Sequence, residues 1–220
     1  MGLEAVIFDM DGTLVDSMPY HTMAWQQFLA LRGIEATTED LKEKGHGTLY
    51  DIMPRFFGHH ISRAESYKLA MEKEAIFREL YAPHIKPLPG LLSWLEQLKV
   101  HNVKIGLGTA ADFTNTDFTL DALQIRPYFD VIVTSDLVPE GKPSPAVYNY
   151  AADKLKVNPA ACLVFEDTFS GVEAAKAAGM KTGAITTMHT AATWQAFGVD
   201  LVLNDYEAVY IGHLFKIMQP

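Results

Sequence analysis

Six short apolar, β-branched runs recur along the chain, at 5–9, 103–109, 130–134, 162–166, 180–185 and 200–203, each closed by a polar or glycine-containing turn. Short β-branched runs of this kind read as buried strands. From Leu88 onward the intervals between them carry helical patterns: Leu91, Leu92, Leu95 and Leu98 read as one stripe, and the capping box Ser170-x-x-Glu173 opens a helix that Gly179 closes. Strand alternating with helix predicts an α/β fold built on a parallel sheet with helices on both faces. In such sheets ligands gather at the carboxyl ends of the strands.

Residues 17–86 break this rhythm with helical patterns and no strand. They predict an inserted all-helical domain, which leaves residues 1–16 and 87–220 as one discontinuous core domain. The turn after Asp16 marks the entry, and Pro83, Pro87, Pro89 and Gly90 mark the exit. The capping box Ser62-x-x-Glu65 starts the longest helix of the insert, running toward Tyr81, and the polar turn Lys44-Gly45-His46-Gly47-Thr48 separates two shorter ones. Met53, Phe56, Phe57 and Met71 read as the insert's own core.

Bulk properties narrow the function classes. The chain is 49% hydrophobic, enough for a buried core, and its net charge of −9 comes without any long Lys/Arg run. That balance argues against a nucleic-acid partner. One cysteine, Cys162, lies in an apolar run, so a disulfide framework is excluded and a reducing cytoplasm is expected. The first apolar run stops at Asp9, too short for a signal peptide or a membrane span. A monomer is the default expectation.

Asp9-Met10-Asp11-Gly12-Thr13 follows the first strand, and Glu166-Asp167 ends a later one. An isolated Asp-x-Asp is usually a polar turn, and a calcium loop is excluded because Leu14 and Tyr20 stand where that loop needs glycine and glutamate. In a parallel sheet, however, two strand ends bring both acidic pairs into one crevice, where burial demands a counterion. Oxygen ligands alone favour Mg2+. Thr109 closes another core strand and Lys142 precedes a helix start at Ser144-Pro145, completing a candidate phosphate site. Asp9 is then the expected nucleophile and Asp11 the proton donor and acceptor, provided neighbouring carboxylates raise the latter's pKa.

Asp9-x-Asp11-Gly12-Thr13, Thr109, Lys142-Pro143 and Glu166-Asp167, in this order, resemble the four motifs of the haloacid dehalogenase superfamily across essentially the whole chain. The resemblance implies a Rossmann-like core with a helical cap inserted after the first strand, an aspartyl-phosphate mechanism, and Mg2+ held by the Asp9 and Asp167 carboxylates, the Asp11 carbonyl, and Glu166 directly or through water. The acid at position 11 is similar to the phosphotransferase branch, which argues against dehalogenation. Asp16-Ser17, Tyr20-His21, Ala24-Trp25 and the run Val164 to Asp167 followed by Gly171 resemble the β-phosphoglucomutase-like subfamily. In that likeness His21 is a hinge histidine, and Lys73 falls near a sugar-recognising lysine. Two positions depart from the mutases: Thr48 stands where they carry a phosphate-binding arginine, and Asp112 where they carry a lysine. His46 in the same turn replaces part of the lost contact.

A phosphatase acting on a small phosphorylated metabolite, expected to be a sugar phosphate, is therefore favoured over a β-phosphoglucomutase interconverting β-glucose 1-phosphate and glucose 6-phosphate. A phospho-accepting signalling module or scaffold is the alternative of another class. It would need neither the insert nor acids in this order. Closure of the cap about hinges near Ser17 and Lys86 is expected, to shield the intermediate.

Overall fold

A computed structural model describes residues 2–44 and 49–218. Its strands β1 (Ala5–Phe8), β2 (Lys104–Gly108), β3 (Val131–Val133), β4 (Cys162–Glu166), β5 (Lys181–Ile185) and β6 (Leu201–Leu203) form one parallel sheet in the order β3-β2-β1-β4-β5-β6. Each of the six apolar runs is a strand. Several are trimmed at their ends, so that Asp9 and Thr109 lie one residue beyond β1 and β2. The central strands β1 and β4 are buried along their whole length, and the edge strands β3 and β6 are largely half-buried. The burial of each strand thus follows its place in the sheet.

The described residues also form ten α-helices: α1 (Met18–Ala30), α2 (Thr38–Lys44), α3 (Leu49–Phe57), α4 (Arg63–Tyr81), α5 (Leu91–Val100), α6 (Phe113–Ala122), α7 (Ala146–Leu155), α8 (Phe169–Ala177), α9 (Ala191–Phe197) and α10 (Ile211–Ile217). The first four belong to one compact unit, Ser17–Ile85, and the rest join the sheet in a second, Met1–Asp16 with Lys86–Pro220. The sheet and its helices make an α/β Rossmann-like fold. No helix among the described residues is long and apolar enough to cross a membrane.

Two helix readings are corrected. On α5 the buried stripe is Leu91, Trp94, Leu95 and Leu98, while Leu92 is 44% exposed. Residues three, four and seven apart share a helix face, and Leu92 stands one position off it. The N-cap of α8 is Thr168, whose Oγ1 accepts from the Gly171 amide at 3.1 Å, and Ser170 lies inside the first turn. Thr168 is in extended conformation, as an N-cap requires.

In the helical unit, Phe28, Leu29, Leu41, Met53 and Ala70 form a buried core flanked by Trp25, Phe56, Phe57 and Met71. The capping box of α4 is complete: the Glu65 amide donates to Ser62 Oγ at 3.2 Å, and the Ser62 amide donates to Glu65 Oε2 at 2.9 Å. Replacing Ser62 with Ala removes one of these bonds at the start of the unit's longest helix. The Ser62→Ala protein is expected to lose about 1 kcal/mol of stability, read from the shift of the helical unit's transition in urea. An unchanged midpoint would show that the cap contributes nothing there.

Candidate active site

The direction of strand order reverses between β1 and β4, which makes the carboxyl ends of these two strands the binding crevice of the sheet. Their register places Phe8 beside Phe165, and the Asp9 amide continues the pairing by donating to the Phe165 carbonyl at 2.9 Å. Asp9 therefore emerges next to Glu166 and Asp167. Carboxylate oxygens of these three buried residues lie within 4.8 Å of one another.

One ammonium sits among them. Lys142 Nζ donates to Asp9 Oδ1 at 2.6 Å, to Glu166 Oε1 at 2.5 Å and to the Gly108 carbonyl at 3.0 Å, and its side chain is only 7% exposed. Three carboxylates facing one cation leave an excess of buried negative charge. Both oxygens of Asp167 are buried without a hydrogen-bond partner among the described residues. A bare ionised carboxylate is costly in such a place, and the charges follow. Burial, together with Glu166 and Asp9, pushes Asp167 well above the usual carboxylate range. Burial pushes Asp9 up to about 8 although Lys142 opposes it. Burial would also raise Glu166, but the Lys142 charge and hydrogen bond, with Tyr148, bring it below its ordinary value. Burial would lower Lys142, and Asp9 and Glu166 outweigh it, so the ammonium stays charged. Two unpartnered oxygens beside a second buried carboxylate fit a hard divalent cation, with Asp9 and Asp167 as its natural holders.

The other expected residues are placed as follows. Asp11 is partly buried and outside the clustered three, but its charge helps raise Asp9 and Asp167. Thr109 is buried at the end of β2, its amide donating to the Val133 carbonyl and its Oγ1 accepting from the Ala111 amide at 3.0 Å. Lys73 and His21 come together within the helical unit. Lys73 is 2% exposed, its Nζ lies 2.8 Å from His21 Nδ1 and donates to Glu74 Oε1 at 2.9 Å, and His21 stacks on Phe77. Lys73 is thus no solvated surface lysine. His46 and Thr48 lie outside the described residues.

Several residues that shape the site carried no clear signal. Tyr148 Oη, in the first turn of α7 at what reads as a core position, donates to Glu166 Oε1 at 2.6 Å. Thr187 Oγ1 donates to the Gly12 carbonyl at 2.6 Å, and Tyr206 Oη to the Thr13 carbonyl at 3.1 Å. Gly12 did stand in the motif, and the structure supplies the reason. Its φ is +77°, and a Cβ there would fall 1.9 Å from Asp167 Oδ2. The segment Gly12–Val15 turns sharply, with the Gly12 amide donating to the Val15 carbonyl at 2.7 Å.

A parallel sheet with buried acids and a lysine at its switch point makes a candidate enzyme site. The chain belongs to the haloacid dehalogenase-like hydrolases, whose family model matches residues 3–179. It is 33% identical to a phosphorylated carbohydrates phosphatase of Thermotoga maritima, over 99% of this chain and 95% of that one. It is also 34% identical to a β-phosphoglucomutase of Bacillus subtilis, over 81% of each. Among solved structures, a family IA, variant 3 hydrolase of this superfamily from Entamoeba histolytica superposes with a TM-score of 0.91 at 28% identity, covering 99% of this chain and all of that one. A phosphatase and a phosphoglucomutase are thus both among its relatives.

Two outcomes are expected from this geometry. Gly12→Ala forces a side chain onto Asp167 and should cost about a hundredfold in activity, measured by steady-state kinetics on protein of wild-type helix content. Near-normal turnover would show that the approach of Gly12 to Asp167 is not needed. The second concerns pH. A carboxyl whose folded pKa is raised holds its proton longer than in the unfolded chain, so folding stability falls as pH rises between the two values. For Asp9 that window runs from its ordinary value of 3.8 to about 8, and Asp167 acts in the same sense. Carboxylates with lowered pKa, Glu166 among them, have delivered their gain by about pH 5. Protein kept in chelator should therefore melt at progressively lower temperature from about pH 5 to about pH 8, with Mg2+ restoring most at the alkaline end. A melting temperature flat across this window, in chelator and in Mg2+ alike, would contradict the charge arrangement.

Proposed function

We propose that the protein is a Mg2+-dependent phosphatase that hydrolyses a phosphorylated carbohydrate through an aspartyl phosphate on Asp9. The observation that carries this reading is the buried Asp9 carboxylate, held at 2.6 Å by Lys142 beside the two unpartnered oxygens of Asp167. Mg2+, when bound, supplies the positive charge that lets an anionic carboxylate approach a phosphate dianion. Asp9, Asp167, the Asp11 carbonyl and the neighbouring Glu166 are assigned to its site.

Asp9 attacks phosphorus, and the bond to the leaving oxygen breaks as Asp11 gives that oxygen its proton. The sugar leaves as an alcohol. Asp11, now ionised, takes a proton from a water that attacks the phosphoryl group, releasing inorganic phosphate and restoring Asp9. Lys142 offsets charge on the transferring group, and Thr109 at the end of β2 is assigned to the same phosphate. Residues 17–86 are read as a cap that shields the intermediate, hinged near Ser17 and Lys86, with His21 and Lys73 recognising the leaving group and His46 and Thr48 as further candidates.

Hydrolysis is favoured over mutase activity by Asp112. Its carboxylate is committed to capping α6, accepting from the Asn115 amide at 2.7 Å, so an acid stands in the loop that leaves β2. A mutase must grip a bisphosphate at both ends, and a cation would serve better there. The sugar-phosphate preference is supported by the Thermotoga relative, named for phosphorylated carbohydrates.

A Mg2+-dependent phosphate-release screen over sugar monophosphates, pyrophosphate and nucleotides tests this, run beside a coupled assay for conversion of β-glucose 1-phosphate. Sugar monophosphates should be the best substrates, and Asp9→Asn should lower release at least about a thousandfold. Formation of glucose 6-phosphate without net phosphate release would make the protein a mutase instead.

A further inference from the structure

Glu166 differs from the other two clustered carboxylates in having its acceptor capacity filled. Oε1 accepts from Lys142 Nζ at 2.5 Å and Tyr148 Oη at 2.6 Å. Oε2 accepts from the Asp167 amide at 3.0 Å, the Thr168 amide at 3.1 Å and Thr168 Oγ1 at 3.0 Å. Five donors thus meet a group with about four lone-pair sites. The side chain is also pressed into the first turn of α8, where a Cβ on Gly171 would fall 1.8 Å from Oε1. Asp167 points the other way, onto the Gly12 loop, with both oxygens free of donors among the described residues.

Lys142 has the complementary property. Its ammonium offers three N–H groups, and Asp9, Gly108 and Glu166 accept one each. Its Nζ also stands 4.9 Å from the centroid of the Tyr148 ring. Proximity alone would allow all three carboxylates to share one ion, since their oxygens lie within 4.8 Å. The donors decide otherwise, because turning Glu166 onto an ion would strand a buried ammonium or phenol proton without a partner.

We infer that Glu166 is not a direct ligand of the cation but the fixed anion that positions Lys142 against Asp9, and that Tyr148 is the positioning residue that holds Glu166 in this role. The inference rests on the function proposed above and deepens it by dividing the acidic cluster into a metal-holding pair and a lysine-holding member.

Calorimetric titration with magnesium chloride, paired with kcat and KM for phosphate release, tests it on wild type, Asp167→Asn, Glu166→Gln and Tyr148→Phe. Asp167→Asn should weaken Mg2+ binding more than about a hundredfold, and Glu166→Gln no more than about tenfold, the range for residues outside the ligand set. Tyr148→Phe should bind Mg2+ as wild type does and lose about tenfold in kcat at unchanged KM. A fall in Mg2+ affinity for Glu166→Gln as deep as that for Asp167→Asn would overturn the inference. So would a Tyr148→Phe enzyme with wild-type kcat. If Glu166→Gln does not fold, Tyr148→Phe still decides, because a freed Glu166 that ligates the ion would tighten Mg2+ binding markedly, against the inference. Wild type that binds no Mg2+ would instead bring down the functional reading itself, and this inference with it.

Discussion

Three carboxylates share one ammonium in a place with almost no water, and most of what is distinctive around the switch point follows from that imbalance. Lys142 can balance one of them, and its three protons are spent on Asp9, Glu166 and the Gly108 carbonyl. Glu166 is settled by backbone amides and hydroxyls. Asp167 has no hydrogen-bond partner among the described residues, and burial beside Glu166 and Asp9 favours its protonated form. A buried carboxyl kept without a partner costs folding stability, as its raised pKa reflects, and its two oxygens fit a hard divalent cation.

The sheet makes the imbalance possible. Parallel strands end on the same side, and the reversal of order between β1 and β4 opens a gap that neighbouring crossovers do not cover. Because the β1–β4 register is fixed by residues buried on both faces, the acids cannot slip relative to one another. Gly12 and Gly171 then let a carboxylate come closer to the backbone than any side chain would permit. Rigid strands thus supply position, while glycines supply proximity.

Much of this was legible in the sequence. The six apolar runs, the capping box at Ser62 and the acids at Asp9, Glu166 and Asp167 all announce themselves, because burial and capping impose local patterns. Lys142 was legible from its place before a helix start and from its motif, but its partners lie on distant parts of the chain and were not. Tyr148, Thr187 and Tyr206 were not legible. A tyrosine on the inner face of a helix looks like packing, and a threonine in a loop looks like a turn former, until the fold brings a carboxylate or a carbonyl to each hydroxyl. The same limit explains Thr168, which displaced Ser170 as the cap of α8: two hydroxyls two residues apart compete, and backbone conformation chooses. Lys73 shows it again, since a lysine in a long polar helix gives no sign of being buried against His21.

The hydroxyls of Thr187 and Tyr206 grip two consecutive carbonyls of the acidic loop, and both residues follow strands that lie beyond the segment matched by the family model. The order of synthesis gives this a consequence. A nascent chain that has emerged as far as β4 and α8 carries every chemical group assigned to the reaction, yet its loop at Gly12–Thr13 lacks both tethers. The loop after the first strand is therefore complete only once the segments carrying Thr187 and Tyr206 have folded against it.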